Sequence, residues 1–161
     1  MQRVEKILSS VSYLDYLARN EEKETDRIFC CHGYQHLLDT ARITYILLLE
    51  NKERCSQEIV YAAALLHDIG RWQQYETGED HALVSARLAR AILREAGFSL
   101  EEENLICQAI AEHRSSCEPQ SVLGTYLKKA DKLSRLCSRC SAQAECKKFE
   151  AMPTAHKKLI Y

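Results

Sequence analysis

The sequence predicts an all-α fold of about six to seven helices, and three observations carry the prediction. Apolar residues recur three and four positions apart along most of the chain, the period of a helix face rather than of a strand. Only 5 Gly and 2 Pro fall among 161 residues, with 46% hydrophobic and 28% charged content, a balance foreign to loop-rich or disordered chains. Helix-end signals, among them Gly97 and the Ser99/Glu102 pair, punctuate the periodic stretches.

The first helix is expected from Gln2 to about Arg19, where Val4, Ile7, Leu8, Val11, Leu14 and Leu17 keep a helical period among charges, and the polar stretch Asn20 to Asp26 ends it. After a turn at Gly33, a second helix of about Tyr34 to Asn51 carries Leu37, Ala41, Tyr45 and Leu48 on one stripe and holds His36 in its first turn. Ser56 is placed to cap a third helix through Ile59, Ala62, Ala63 and Leu66, with Gly70 as its stop, so His67 and Asp68 fall in its last turn. Arg71 to Asp80 reads as an irregular loop. A fourth helix spans about His81 to Ala96, closed by Gly97, and Ser99 with Glu102 forms a capping-box pattern for a fifth, on which Ile106, Ile110 and His113 share a face. Pro119 breaks the chain before a sixth helix of about Ser121 to Leu136, where Leu123, Leu127 and Asp131 lie on one line. Pro153 opposes a long helix in the basic, cysteine-bearing tail.

A chain of this length predicts one domain over residues 1–161 with a single core. The 22 Lys+Arg against 23 Asp+Glu leave a formal net charge of -1, so no global field draws the protein to nucleic acid or to an anionic membrane. Neither partner is expected. The N-terminus has no apolar region of the secretory kind, and the longest apolar run, Ile59 to Leu66, is far short of a bilayer span, which predicts a cytoplasmic protein. The 8 cysteines are then reduced thiols, and Cys30, Cys31, Cys55, Cys107 and Cys117 read as small structural hydrophobes.

The sharpest local feature is Leu65-Leu66-His67-Asp68-Ile69-Gly70, an imidazole and a carboxylate side by side at the end of an apolar helix. Burying an unpaired carboxylate costs several kcal/mol, so a partner must exist, and a divalent cation is the simplest. Helix carbonyls at that C-terminal end favour positive charge as well. His36 and Asp131 add an imidazole and a carboxylate from two other apolar faces. Taken singly, a histidine on an apolar face is more often a hydrogen-bonded core residue. The adjacent pair and the ordered series His36, His67-Asp68, His81, His113, Asp131 resist that explanation. Mixed imidazole and carboxylate donors suit Mn, Fe, Co, Ni or Zn, with Mg less at home because it prefers an all-oxygen shell.

His36, then His67-Asp68 within LLHDIGR, then Asp131 within KKADKLSR, resembles the HD superfamily of metal-dependent phosphohydrolases over roughly residues 31–135. The resemblance implies a compact HD-type helical domain with a central metal site, ligated by His36, His67, Asp68 and Asp131, and a tail at 137–161 outside the pattern. Many relatives place two more histidines where His81 and His113 stand, which implies one or two divalent ions. The opening His32-Gly33-Tyr34-Gln35-His36 is similar to an HGxxH branch and favours His36 over His32 as ligand. His32 and His156 read as ordinary loop and tail residues. Asp39 stands where many relatives carry Arg. Arg71 replaces the Glu that the resembled 5'-deoxynucleotidases use, the GYP motif of cyclic-dinucleotide phosphodiesterases is missing after His113, and no Glu-Asp follows the HD pair as in guanosine-alarmone hydrolases.

The expected activity is hydrolysis of a phosphate ester or phosphoanhydride of a nucleotide or related small molecule by a metal-activated water. Asp68 would orient that water, and His81 and His113 would bind a second ion or contact phosphate and assist proton transfer. Arg71 would neutralise phosphoryl charge, although a solvated surface arginine is the plainer reading. Lys128, Lys129 and Lys132 read as the solvated face of their helix. Two other classes compete: a di-iron oxygenase using the same six ligands, and a non-catalytic nucleotide-binding module. Cys137, Cys140 and Cys146 give C-x2-C-x5-C, three thiolates that would need Cys117, His156 or an external group to complete a tetrahedral zinc site.

Overall fold

The computed structural model describes residues 1–115, 118–157 and 161, and among these it contains no strand. Eight α-helices follow one another: α1 Gln2–Leu8, α2 Val11–Lys23, α3 Tyr34–Glu50, α4 Gln57–Leu66, α5 Arg71–Thr77, α6 His81–Ala96, α7 Leu100–Glu112 and α8 Val122–Leu133. Two 3-10 turns, Cys137–Arg139 and Phe149–Ala151, lie in the tail.

Helix α4 is the axis of the molecule. Its Ile59, Val60 and Ala62 through Leu66 are all buried, and it packs against α1, α3, α6, α7 and α8. Only a helix apolar on every side can sit there without stranding polar groups. Around it, α3 pairs with α8, α6 with α7, and α7 with α8, each giving one apolar stripe to the core. Of the helices in the described residues, none is long and apolar enough to cross a membrane.

The all-α expectation stands, with two short helices added. The expected helix Gln2 to Arg19 breaks at Ser9, whose hydroxyl donates to the carbonyl of Glu5 at 2.8 Å and competes with the helical ladder. Its second half then runs on to Lys23. The expected loop Arg71 to Asp80 is largely helix: Asn20 accepts the backbone N–H of Trp72 at 2.7 Å near its start, and Gly78 at φ 79° closes its end. Asp80, also expected in that loop, caps α6 by accepting from the N–H of Ala82 at 2.8 Å. Ser56 occupies the N-cap of α4 but makes no side-chain cap bond, whereas the Ser99/Glu102 box forms in full. Helix α8 ends at Leu133, short of Leu136.

Gly70 follows the third of the expected helices without a left-handed backbone. A Cβ there would lie 2.6 Å from Val84 Cγ1 and 2.8 Å from the backbone nitrogen of Ser85, so only glycine lets α6 close on this turn. Of the cysteines read as structural, Cys107 is buried, Cys30 and Cys55 are half-buried, Cys31 is exposed, and Cys117 lies outside the described residues.

Candidate metal centre

His67 is the C-cap of α4, and Asp68 stands in the turn beyond it, one step past the last helical turn where they were expected. Asn20 on α2 is completely buried and donates to the carbonyl of Asp68 at 2.9 Å. With the N–H of Gly70 donating to Ser85 at 2.9 Å, the turn is fixed from both sides.

Helices α3, α6, α7 and α8 bring the other side chains to this turn. His36 Nε2 lies 3.2 Å from Asp131 Oδ1 and 3.6 Å from Asp68 Oδ2, while His67 Nε2 lies 3.1 Å from Asp68 Oδ2 and 3.9 Å from Asp131 Oδ1. On the other side, His81 Nε2 is 3.0 Å and His113 Nε2 3.7 Å from Asp68 Oδ1. Two groups result, His36/His67/Asp68/Asp131 and Asp68/His81/His113, each with its donor atoms within 4.8 Å of one another. Asp68 belongs to both, one oxygen turned to each.

Ring orientation is set from behind. His67 Nδ1–H donates to the carbonyl of Ala64 at 2.6 Å and His113 Nδ1–H to that of Ile110 at 2.6 Å, which leaves each Nε2 lone pair facing inward. Ser134 donates to the carbonyl of Asp131 at 2.9 Å, so its oxygen accepts from His36 Nδ1 at 3.0 Å with the same result. His81 differs, since its Nδ1 meets Arg71 at 2.7 Å, Gln74 at 2.8 Å and Arg114 at 3.1 Å.

His67 Nε2 and Asp68 Oδ1 are buried with no hydrogen-bond partner among the described residues. Two unpaired lone pairs in a dry interior are costly unless a cation lies between them, so these residues fit a metal ion. The electrostatics agree. Burial opposes protonation of His67, but the carboxylates of Asp68 and Asp131 outweigh it and hold its pKa up at about 10. Burial likewise opposes ionisation of Asp68 and Asp131, yet the surrounding histidines, with Arg135 beside Asp131, keep both well below the carboxylate range. His113, buried and next to a protonated His67, falls to about 4. The site favours a cation, and a proton takes that place in a metal-free chain.

Of these residues, Asp68, His81, His113 and Asp131 line a cavity of about 670 Å³. Arg71, expected as either phosphate ligand or surface residue, lines it half-buried, with its Nε unpartnered among the described residues. The reading of Lys128 and Lys132 as a solvated outer face is corrected: Lys128, Asp131, Lys132 and Arg135 form one i, i+3, i+4, i+7 stripe that lines the cavity, and Lys129 alone points away. That spacing was the available signal. Asp39 is not at the cavity and pairs on the surface of α3 with Gln35 at 2.9 Å.

His32 corrects its expectation as an ordinary loop residue. It is buried, lines the cavity, and places its backbone N–H 2.6 Å from Glu24 Oε2 and its Nδ1 on Glu24 Oε1, which also accepts from the Tyr75 hydroxyl at 2.6 Å. Burial lowers the pKa of His32 against the opposing pull of Asp68 and Glu24, and Glu24 is held below its usual range by the hydrogen bonds and charge of His32 and the hydroxyl of Tyr75. Glu24 carried no sequence signal, because its partners come from a loop and from a helix that periodicity did not reveal. In the tail, Cys137, Cys140 and Cys146 form no group of three ligand atoms close enough to share an ion among the described residues, and His156 is exposed.

An all-helical protein with buried imidazoles and carboxylates converging on one turn is a metal-binding α-domain. Residues 33–136 match the HD domain family, and the chain belongs to it. It is 40% identical over 146 residues to an uncharacterized protein of Clostridium beijerinckii, covering 91% of this chain and 92% of that one. It also resembles Ribonuclease Y of Acidothermus cellulolyticus, at 30% identity over 100 residues, and of Chloroflexus aurantiacus, at 34% over 125 residues. This chain spans 18% and 22% of the length of those two proteins. No solved structure matches it. Members of the family bind divalent metals and are generally hydrolases.

Proposed function

We propose that this protein is a metal-dependent phosphohydrolase acting on a phosphate ester or phosphoanhydride of a small molecule such as a nucleotide. The observation that carries the reading is the position of Asp68, whose two oxygens face two separate ligand groups, while Oδ1 and His67 Nε2 have no hydrogen-bond partner among the described residues. His36, His67, Asp68 and Asp131 would hold one ion, and Asp68 with His81 and His113 a second. A bound divalent ion would lower the pKa of water and polarise a phosphoryl oxygen.

The chain's own residues supply the rest. Asp68 would orient the nucleophilic water through whichever oxygen faces it, and Arg71, which lines the cavity beside His81, would neutralise phosphoryl charge with its guanidinium. His113, which burial brings down to about 4, keeps an unprotonated ring able to ligate if a second ion is present, or to contact the phosphate if only one is. The reading places the enzyme in the cytoplasm, where its cysteines stay reduced.

Elemental analysis of the purified protein, followed by phosphate release from a panel of nucleotides, dinucleotides and bis-aryl phosphates, tests the proposal. His67→Ala and Asp68→Ala should each lose metal and turnover together; turnover that survives both would sink the mechanism. The likeness to Ribonuclease Y favours a phosphodiester as a second reading, and cleavage of bis-aryl phosphates and oligoribonucleotides over monoesters would select it. Iron with a mixed-valent electron-spin signal, and no phosphate released, would select the oxygenase.

A further inference from the structure

The chain as a whole is almost neutral, yet eight of its 22 Lys and Arg residues line the one cavity that holds the candidate metal centre. Only Asp68, Asp131 and Glu145 oppose them there, and the first two already belong to the ligand groups. Gathering like charges destabilises a fold, so this distribution needs a reason outside folding.

Position within the cavity separates the cations into two sets. Arg71 and Arg135 are half-buried beside the histidines, and Arg135 is tied to Asp131 at 2.8 Å. Lys132, Lys147 and Lys148 are exposed at the mouth, and among the described residues none of the three forms an ion pair. Lys147 and Lys148 come from beyond residue 136, where the HD match ends. The segment that presents them is packed rather than loose: Cys137, Ala142, Thr154 and Ala155 are buried, and Gln143 donates to the carbonyl of Cys137 at 3.0 Å.

We propose that Lys132 of α8 with Lys147 and Lys148 of the tail forms a second anion subsite, so that the substrate carries two or more linked phosphates, as a nucleoside di- or triphosphate does. The proposal rests on the phosphohydrolase reading of the inner site: one phosphate lies at the histidines and the remainder of the chain of phosphates runs out to the lysines. A single phosphate needs neither three unpaired lysines at the mouth nor about 670 Å³, whereas that volume is typical of pockets for nucleotide-sized ligands. The tail is then the element that selects for polyphosphates.

Calorimetric titration of inorganic tripolyphosphate and orthophosphate into the full-length chain, with excess magnesium in every run, tests this. Tripolyphosphate should bind more tightly than orthophosphate, and the Lys147→Gln/Lys148→Gln variant should weaken it about tenfold while changing orthophosphate less than about twofold. Lys132→Gln should act in the same direction, and Lys129→Gln, on the far side of the helix, should have no effect. Equal affinity for the two anions, or affinity indifferent to all three cavity lysines, overturns the subsite. Preferential displacement of tripolyphosphate by a single-stranded oligoribonucleotide would assign the lysines to nucleic acid and overturn it too. Lysine-dependent tripolyphosphate binding without turnover of any phosphate compound would support the subsite while refuting the hydrolase, so the two readings fail separately.

Discussion

At the scale of the residue, the chemistry is controlled by groups placed behind the ligands. Because carboxylates hold the His67 pKa at about 10, its Nε2 carries a proton at neutral pH in the metal-free chain, and an incoming ion must displace it. Metal titration at pH 7 should therefore release about one proton, read as the dependence of binding enthalpy on the ionisation heat of the buffer. Glu24 makes a different prediction. Burial raises its pKa, but the His32 and Tyr75 hydrogen bonds win and bring it from 4.5 to about 2. A depressed acid contributes stability above its unfolded pKa and loses it as pH falls through the folded one. Glu24→Gln should thus cost about 1–3 kcal/mol near neutrality, with the difference from the parent fading between about pH 4.5 and pH 2 in denaturant titrations. His36, His67, Asp68 and Asp131 were legible in the sequence because each interrupts an apolar helical stripe with a group that burial would otherwise forbid. Glu24 and Asn20 were not, since their role lies in partners up to 51 and 52 positions away.

At the scale of the element, the turn after α4 is held in place by close approach. Gly70→Ala would drive a Cβ into Val84 and the Ser85 backbone, and α6 would have to withdraw, taking His81 with it. The expected cost is about 1–3 kcal/mol, a fall in Tm of about 5 °C, together with weaker metal binding, measured by thermal unfolding with and without the ion. Among the described residues, α3, α6 and α7 were readable almost to the residue and α4 and α8 to within about a turn, because long amphipathic stripes closed by Gly97 or opened by Ser99 override local noise. Helix α5 was not readable, having seven residues, none of them buried, so no periodicity records it. Gly78 and the Asp80 cap were its only marks.

At the scale of the whole molecule, the first ligand group ties α3 and α8 to the turn after α4 and the second ties α6 and α7 to the same turn, so bound metal would cross-link the bundle through Asp68. Metal at a hundredfold excess over its Kd should add about 2.7 kcal/mol and raise Tm by about 5–10 °C. Asp131→Asn should abolish most of that shift and also lower the metal-free Tm, since it removes the carboxylate that pairs with Arg135 at 2.8 Å and His36 at 3.2 Å. The buried Asn20 has a bearing on how the protein can be cut. A fragment trimmed to the homologous stretch at 33–136 would discard the amide that holds both the Asp68 carbonyl and the Trp72 N–H, along with His32 and its Glu24 anchor. Recombinant boundaries drawn by similarity alone would thereby yield a domain whose ligand-bearing loop has lost its outside brace, and inactivity of such a piece would report on the cut rather than on the enzyme.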